Sequence, residues 1–220
     1  MIVIIGGSKG LGLSLAEEFS ADNKVVTISR NQQDHSKNNI KSIKFDINKD
    51  DPSLLDKYFS KKDVSAVFFT VGLVNPSDDI NLEFSEIEKI NKTNFLSITK
   101  LVKFFLEKDK LKSNGLLCFC SSVTTFFSRD RQIFYASSKH ALNSYTNSLR
   151  VYFYKNKIGI RVSNLLLGYI DTDMSGIKYQ SPFKKMSPKD LAKKIKKNYK
   201  SMNSNIIIPG YWILILFILK

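Results

Sequence analysis

The amino end constrains this chain most. Four consecutive apolar residues, Ile2 to Ile5, run into Gly6-Gly7-Ser8-Lys9-Gly10-Leu11-Gly12, after which Leu13, Leu15, Ala16 and Phe19 recur at helical spacing. That order reads as a strand, a glycine turn and a helix. Gly6 allows the tight turn, Gly10 lets the backbone approach a pyrophosphate, and Gly12 permits close helix packing, with the amino end of the helix facing the phosphates. The spacing is G-x-x-x-G-x-G, not G-x-G-x-x-G, and a glycine motif standing alone says little.

The same alternation continues. Apolar strands are read at 25–29, 40–45, 64–69, 115–120, 160–166 and 205–208, with helices between most of them. Continuous apolar strands separated by helices predict an α/β fold, a single Rossmann-type doubly wound parallel sheet with helices on both faces. The ligand crevice then lies at the carboxyl ends of the strands, where Gly6, Gly72, Ser122 and Gly168 all fall. A chain of 220 residues, 43% hydrophobic, can bury one sizeable core. No linker or repeat divides it, so 1–210 is expected to be one domain, with 211–220 an apolar tail that is either part of that domain or an interfacial anchor. The polar stretch at 31–39 reads as a surface loop. Beginning at the first strand leaves no room for a signal peptide, and a cytoplasmic protein is expected. Cys118 and Cys120 sit in one apolar run and read as buried structural residues. His35 and His140 lack ligand spacing, so no metal is predicted.

Tyr135-Ala136-Ser137-Ser138-Lys139 carries the chemistry. On a helix, positions i and i+4 share a face, so the Lys139 ammonium can sit beside the Tyr135 phenol. A phenol of pKa about 10 is a poor acid or base near neutrality, and a neighbouring cation favours its ionised form. Ser122, thirteen positions upstream, could hydrogen-bond a substrate oxygen. A tyrosine and lysine at this spacing also occur as a solvated pair. Their order after the glycine turn is what gives them weight.

Together these residues resemble the short-chain dehydrogenase/reductases, over a span from Ile2 to about Gly210. Asp46, in Phe45-Asp46-Ile47, matches the acidic residue placed near the adenine. Asn94 matches the active-site asparagine, Ser122 the serine closing the fifth strand, and Gly168-Tyr169-Ile170-Asp171-Thr172 the loop near the nicotinamide. The resemblance implies a catalytic set of Asn94, Ser122, Tyr135 and Lys139. It implies cofactor contacts from Gly6, Ser8, Lys9, Gly10, Leu11, Gly12, Arg30, Asp46, Ile47, Gly72, Asn94, Tyr135, Lys139, Gly168, Ile170 and Thr172. Two landmarks depart from the family. Phe69-Thr70-Val71-Gly72 stands where N-N-A-G is usual, and Leu167 replaces the proline before Gly168. Loss of the asparagines is expected to loosen the support of the central strand and of the adenosine side, without removing a proton- or hydride-transfer group.

Cofactor choice is read from charge. An acid closing the second strand would favour a ribose 2′-hydroxyl, whereas this chain has Ser29-Arg30 there and Lys9 in the glycine turn. Both favour NADP(H) over NAD(H), the bland alternative being solvated cations in a chain of net charge +14. The resemblance implies an NADPH-dependent oxidoreductase that reduces a ketone to a secondary alcohol, with Tyr135 giving the proton, Ser122 holding the oxygen, Lys139 tuning the tyrosine and binding the ribose, and Asn94 holding a relay water. Alternatives are the oxidative direction or a non-catalytic sensor or scaffold. The resemblance implies a small carbonyl compound as substrate. Phe126, Phe127, Arg129, Arg131 and Phe134 either line an aromatic, anion-tolerant pocket or form a packed loop, and the short segment 174–186 suggests an open cleft.

The carboxyl end adds a second theme. Residues 178–200 hold nine lysines and one acid, Asp190, and an unbroken apolar run follows at 211–219. Pro188 fits a helix start, with Leu191, Ile195 and Tyr199 as its apolar stripe. Nine apolar residues make a helix of about 14 Å, too short for a bilayer core of about 30 Å. The run is either a peripheral membrane contact through Tyr211 to Leu219 at the inner face of a membrane, or a tail packed on the core, the cleft or another subunit. No nucleic-acid recognition motif accompanies the charge. A homodimer or homotetramer is expected, because Leu101, Phe104, Phe105, Leu142, Tyr145, Leu149, Tyr152 and Phe153 exceed what one face of each of two long helices, 85–108 and 133–155, must bury.

Overall fold

The computed structural model describes residues 1–31, 39–128, 130–172, 174 and 185–218. Residues 32–38 of the expected loop at 31–39, which include His35, together with Arg129, Leu219 and most of the segment 174–186, lie outside the described residues. In order the elements are β1 (Ile2–Ile5), α1 (Gly10–Phe19), β2 (Val25–Ser29), β3 (Ile40–Lys44), β4 (Val64–Phe69), α2 (Phe84–Asn91), α3 (Ser97–Glu107), β5 (Leu111–Ser122), α4 (Ile133–Lys155), β6 (Arg161–Leu167), α5 (Pro188–Asn198), β7 (Asn205–Ile208) and α6 (Tyr211–Ile218). All seven strands pair in parallel, in the order β3-β2-β1-β4-β5-β6-β7. Strand order reverses between β1 and β4, which places a crevice above their carboxyl ends.

Both faces of the sheet are covered, so the central strands carry continuous apolar runs, Ile2–Ile5, Ala66–Phe69 and Leu116–Cys120, instead of alternating. Val3, Ile5, Val67, Phe69, Leu117 and Phe119 form one core cluster with Ile98, Leu101 and Phe105 of α3 and Leu142 of α4. Ile2, Ile4, Phe68, Leu116 and Cys118 form the other with Leu15 and Phe19 of α1 and Leu191 and Ile195 of α5. Phe69 stacks on Phe119 at 4.9 Å on the first face, and Phe19 meets Phe68 at 5.2 Å on the second. Cys118 and Cys120 belong to the second face. Burial pushes the Cys120 thiol up to about 12 and Cys118 well above its usual value, which leaves both as inert packing groups.

Element boundaries differ from the sequence pattern where polar residues hide structure. β5 begins at Leu111, before the Lys112-Ser113-Asn114 stretch, and a register shift against β4 between Val64 and Ala66 accommodates the early start. β3 ends at Lys44 and β6 is offset by one residue from 160–166. The expected helix at 85–108 is α2 and α3 joined by a π turn, Lys92–Leu96, that contains Asn94. α5 starts as expected: Ser187 accepts a hydrogen bond from the Asp190 amide, Pro188 opens the first turn, and Leu191, Ala192 and Ile195 face inward. Tyr199 closes that helix edge-on to Phe19 at 5.0 Å.

The apolar surplus expected on the two long helices is largely spent inside the protomer. Leu101, Phe104, Phe105, Leu142 and Phe153 are buried in the core, with Tyr145 and Leu149 packed against it. Of that set, Tyr152 alone is exposed, joined on these helices by Leu96, Val151 and Tyr154. Among the described residues no helix is long and apolar enough to cross a membrane. α6 divides its two sides sharply: Trp212 and Leu216 are buried, while Ile213, Leu214, Phe217 and Ile218 are 60–81% exposed.

Candidate active site

The glycine turn sits at the carboxyl end of β1. Gly6 takes a φ of +96°, and its amide donates to Ile28 O of β2 at 2.8 Å. A Cβ on Gly12 would lie 2.2 Å from Gly6 O, so the helix can fold back on the turn only with glycine there. Gly10, at φ +55°, faces the side chain of Thr172, which brings the segment after β6 against the turn across the crevice. Lys9 supplies no side-chain cap and no acid occupies the first turn of α1. That amino end is left ready for an anion from outside the chain, and Ser8, Lys9, Gly10, Leu11 and Gly12 are the residues around it.

Three strand ends converge beside the turn. Phe45 N donates to Ser29 O at 2.9 Å, which sets Asp46 and Ile47 next to the end of β2. Asp46 Oδ1 accepts from Asn48 N, and Ile47 packs on the core. Lys9 and Arg30 are both exposed. Where the usual asparagines are replaced, other groups meet the β1 side. Thr70 Oγ1 donates to Ile5 O at 2.9 Å, and Val71 lies directly beneath Gly6.

Tyr135 and Lys139 occupy the first two turns of α4, and Ser122 ends β5. Lys139 is 3% exposed, with Nζ 5.7 Å from the Tyr135 ring centroid and donating to Cys120 O at 2.9 Å. Burial holds its ammonium down at about 8. Nζ is 3.6 Å from where a Cβ on Gly72 would sit, with Met174 Sδ at 3.7 Å from the same point, so Gly72, Lys139 and Met174 are neighbours. Ser122 Oγ accepts from Thr124 N at 3.2 Å, and Ser121 Oγ donates to Lys139 O at 3.3 Å. Asn94 is fully buried. Its Oδ1 accepts from Leu73 N at 2.7 Å, and its Nδ2 donates to Leu73 O at 2.9 Å and to Ser138 Oγ at 3.0 Å. Gly168 follows Leu167, the register partner of Ser122, and its amide donates to Ile208 O at 2.8 Å. Ile170 bridges to Met186 beyond it. The structure thus gathers the expected residues at one end of the sheet.

Two features escaped the sequence pattern. Asp78, in the connection after β4, is 2% exposed, and its carboxylate accepts from the Phe134 and Tyr135 amides at 3.0 and 2.8 Å. Nothing in the local pattern Ser77-Asp78-Asp79 marks it, because its partners lie 56 and 57 residues away. The second is Trp212. A Cβ on Gly168 would fall 1.9 Å from Trp212 Nε1, and the indole lies near-parallel to Phe127 at 6.4 Å and beside Tyr169 at 6.0 Å. The tail is therefore docked against the residues that neighbour Ser122.

This geometry has relatives. The family model described as "short chain dehydrogenase" matches residues 1–182. The chain is 26% identical to the "Dehydrogenase/reductase SDR family protein 7-like" of Drosophila melanogaster, over 89% of this chain and 68% of that protein. It is 25% identical to the "L-rhamnose 1-dehydrogenase (NADP(+))" of Thermoplasma acidophilum, over 79% of this chain and 73% of that protein. A short-chain dehydrogenase from Burkholderia cenocepacia, solved in complex with NADP, superposes with a TM-score of 0.82 at 17% identity, covering 99% of this chain and 92% of that one. The protein belongs to the short-chain dehydrogenase/reductase family and is an oxidoreductase acting on a CH–OH or C=O group.

Proposed function

We propose that the protein is an NADPH-dependent reductase that converts a ketone to a secondary alcohol, with Tyr135 as proton donor. The observation that carries this reading is a buried Lys139 ammonium beside the Tyr135 ring and next to Gly72. NADPH, when bound, supplies the hydride that goes to the carbonyl carbon. Tyr135 delivers the proton to the carbonyl oxygen as negative charge develops there. Ser122 is oriented by the Thr124 amide it accepts, which leaves its own proton for the substrate oxygen. Lys139, held at about 8, exchanges protons near neutrality and is suited to recharge the phenol. Asn94 spends its side chain on Leu73 and Ser138, so the relay water is assigned to a main-chain carbonyl of the π turn.

The uncapped amino end of α1 suits a pyrophosphate, and the exposed Lys9 in that turn and Arg30 just after β2 suit a ribose 2′-phosphate. Asp46 and Ile47 are assigned to the adenine, Lys139 with Tyr135 to the nicotinamide ribose, and Gly168, Ile170 and Thr172 to the nicotinamide side. NADP in the Burkholderia structure and NADP(+) in the name of the Thermoplasma enzyme support the preference. The latter also favours a second reading, oxidation of a sugar alcohol or lactol with NADP+. The outward apolar side of α6, with the lysines at 178–200, supports a peripheral contact with anionic lipid. Exposed Leu96, Val151, Tyr152 and Tyr154 support a homo-oligomer. The test is NADPH oxidation against a panel of ketones and NADP+ reduction against aldoses. Tyr135→Phe is expected to lose at least about a hundredfold in kcat, and full turnover in that variant overturns the mechanism.

A further inference from the structure

We propose that Asp78 is a positioning residue for Tyr135, reaching from the β4–α2 connection to hold the first turn of α4 in place. The inference rests on the reading of Tyr135 as the proton donor. Among the described residues, the N-cap position of α4 supplies no side-chain cap. Gln132 stands there in the left-handed region, at φ +58°. The amides that open a helix must find acceptors elsewhere when buried. Here both oxygens of one carboxylate take them, Oδ1 from Phe134 and Oδ2 from Tyr135. Asp78 O also accepts from Gln132 N at 2.6 Å, so three hydrogen bonds tie this loop to the start of α4.

The other side of Tyr135 is tied to the same connection. Ser138 Oγ donates to Tyr135 O at 2.7 Å and accepts from Asn94 Nδ2, and Asn94 grips both the N–H and the C=O of Leu73. The amide and carbonyl of Tyr135 are therefore both referred to the segment from Leu73 to Asp78, which begins one residue after Gly72. A carboxylate accepting two N–H groups fixes a helix end more tightly than a single hydroxyl cap, because each bond is charge-assisted and the two share one rigid plane. Being 2% exposed, this carboxylate has no solvent-facing role to explain its presence. Its placement sets where the Tyr135 phenol points.

The test is 19F NMR of protein labelled with 3-fluorotyrosine, with Tyr135 assigned through Tyr135→Phe, together with amide exchange at Phe134 and Tyr135. Asp78→Ala is expected to speed exchange at both amides by about tenfold or more. It should also move the Tyr135 fluorine signal while Tyr154, at the far end of the same helix, and Tyr58 stay put. Asp78→Asn retains shape and one acceptor, so one amide should keep its protection and the signal should move less. That graded pair also serves if the alanine variant folds poorly. Faster amide exchange with an unmoved Tyr135 signal would reduce Asp78 to an ordinary helix cap and overturn the proposal. So would two unchanged amides. Failure of the proton-donor reading shows separately, as turnover by Tyr135→Phe, and does not alter the fluorine or exchange result.

Discussion

Burying Lys139 costs stability at neutral pH, and that cost is measurable without knowing the substrate. A displacement from the ordinary 10.5 to about 8 corresponds, at about 1.4 kcal/mol per pH unit, to about 3 kcal/mol. The sign follows from proton counts. Below about 8 both folded and unfolded chains carry the proton, and the full penalty applies. Between about 8 and 10.5 the folded chain has released it and the unfolded chain has not, so stability rises with pH across that window. Of the total, about 2 kcal/mol should appear between pH 7 and 9.5. Tyr135→Phe serves as the background, to keep the neighbouring phenol out of the titration, and Lys139→Met is compared within it by urea unfolding at several pH values. Groups common to both chains cancel. The lysine protein should gain on the methionine protein by about 2 kcal/mol as pH rises over this range. A difference that stays flat, or falls, refutes the argument that the ammonium is held in a desolvated site.

Further outcomes follow from the same geometry. Gly168→Ala drives a methyl into Trp212, so α6 should undock at a cost of about 1–3 kcal/mol. Trp212 is the single tryptophan, and its emission should shift to the red; an unchanged spectrum contradicts the docked tail. Arg30→Asp should lower the NADPH-over-NADH affinity ratio about tenfold, near 1.4 kcal/mol, in paired binding titrations. Replacing Ile213, Leu214, Phe217 and Ile218 by serine should abolish sedimentation with anionic vesicles at low salt while leaving unfolding unaffected, since these side chains face outward. A wild-type protein that never sediments with such vesicles removes the membrane contact. Sedimentation velocity at micromolar concentration should show more than a 25.1 kDa species.

Much of the fold was legible because both faces of the sheet are covered. Ile2 to Ile5 and Ala66 to Phe69 are uniformly apolar for that reason, and the glycine turn announces the crevice. Local spacing was enough for Tyr135 and Lys139, which share one helix face, and for the Ser187–Pro188 start of α5. Other features lay beyond it. The π turn at Asn94 has no compositional mark, and Lys112 to Asn114 are polar and exposed, so the apolar run marks only the later part of β5. The apolar surplus of the two long helices was overestimated, since Phe104, Phe105 and Phe153 fill the protomer's own core. Asp78 and Trp212 depend on contacts across many residues, and only the folded chain brings them to Tyr135 and Gly168.

The most direct test of the central claim is a fluorescence titration of the purified protein with NADPH and with NADH. Saturable NADPH binding, at least about tenfold tighter than NADH and weakened by Arg30→Asp, is the predicted result. Binding of neither nucleotide would contradict an NADPH-dependent reductase and point to the Phe69–Gly72 substitution as the place where the cofactor site fails.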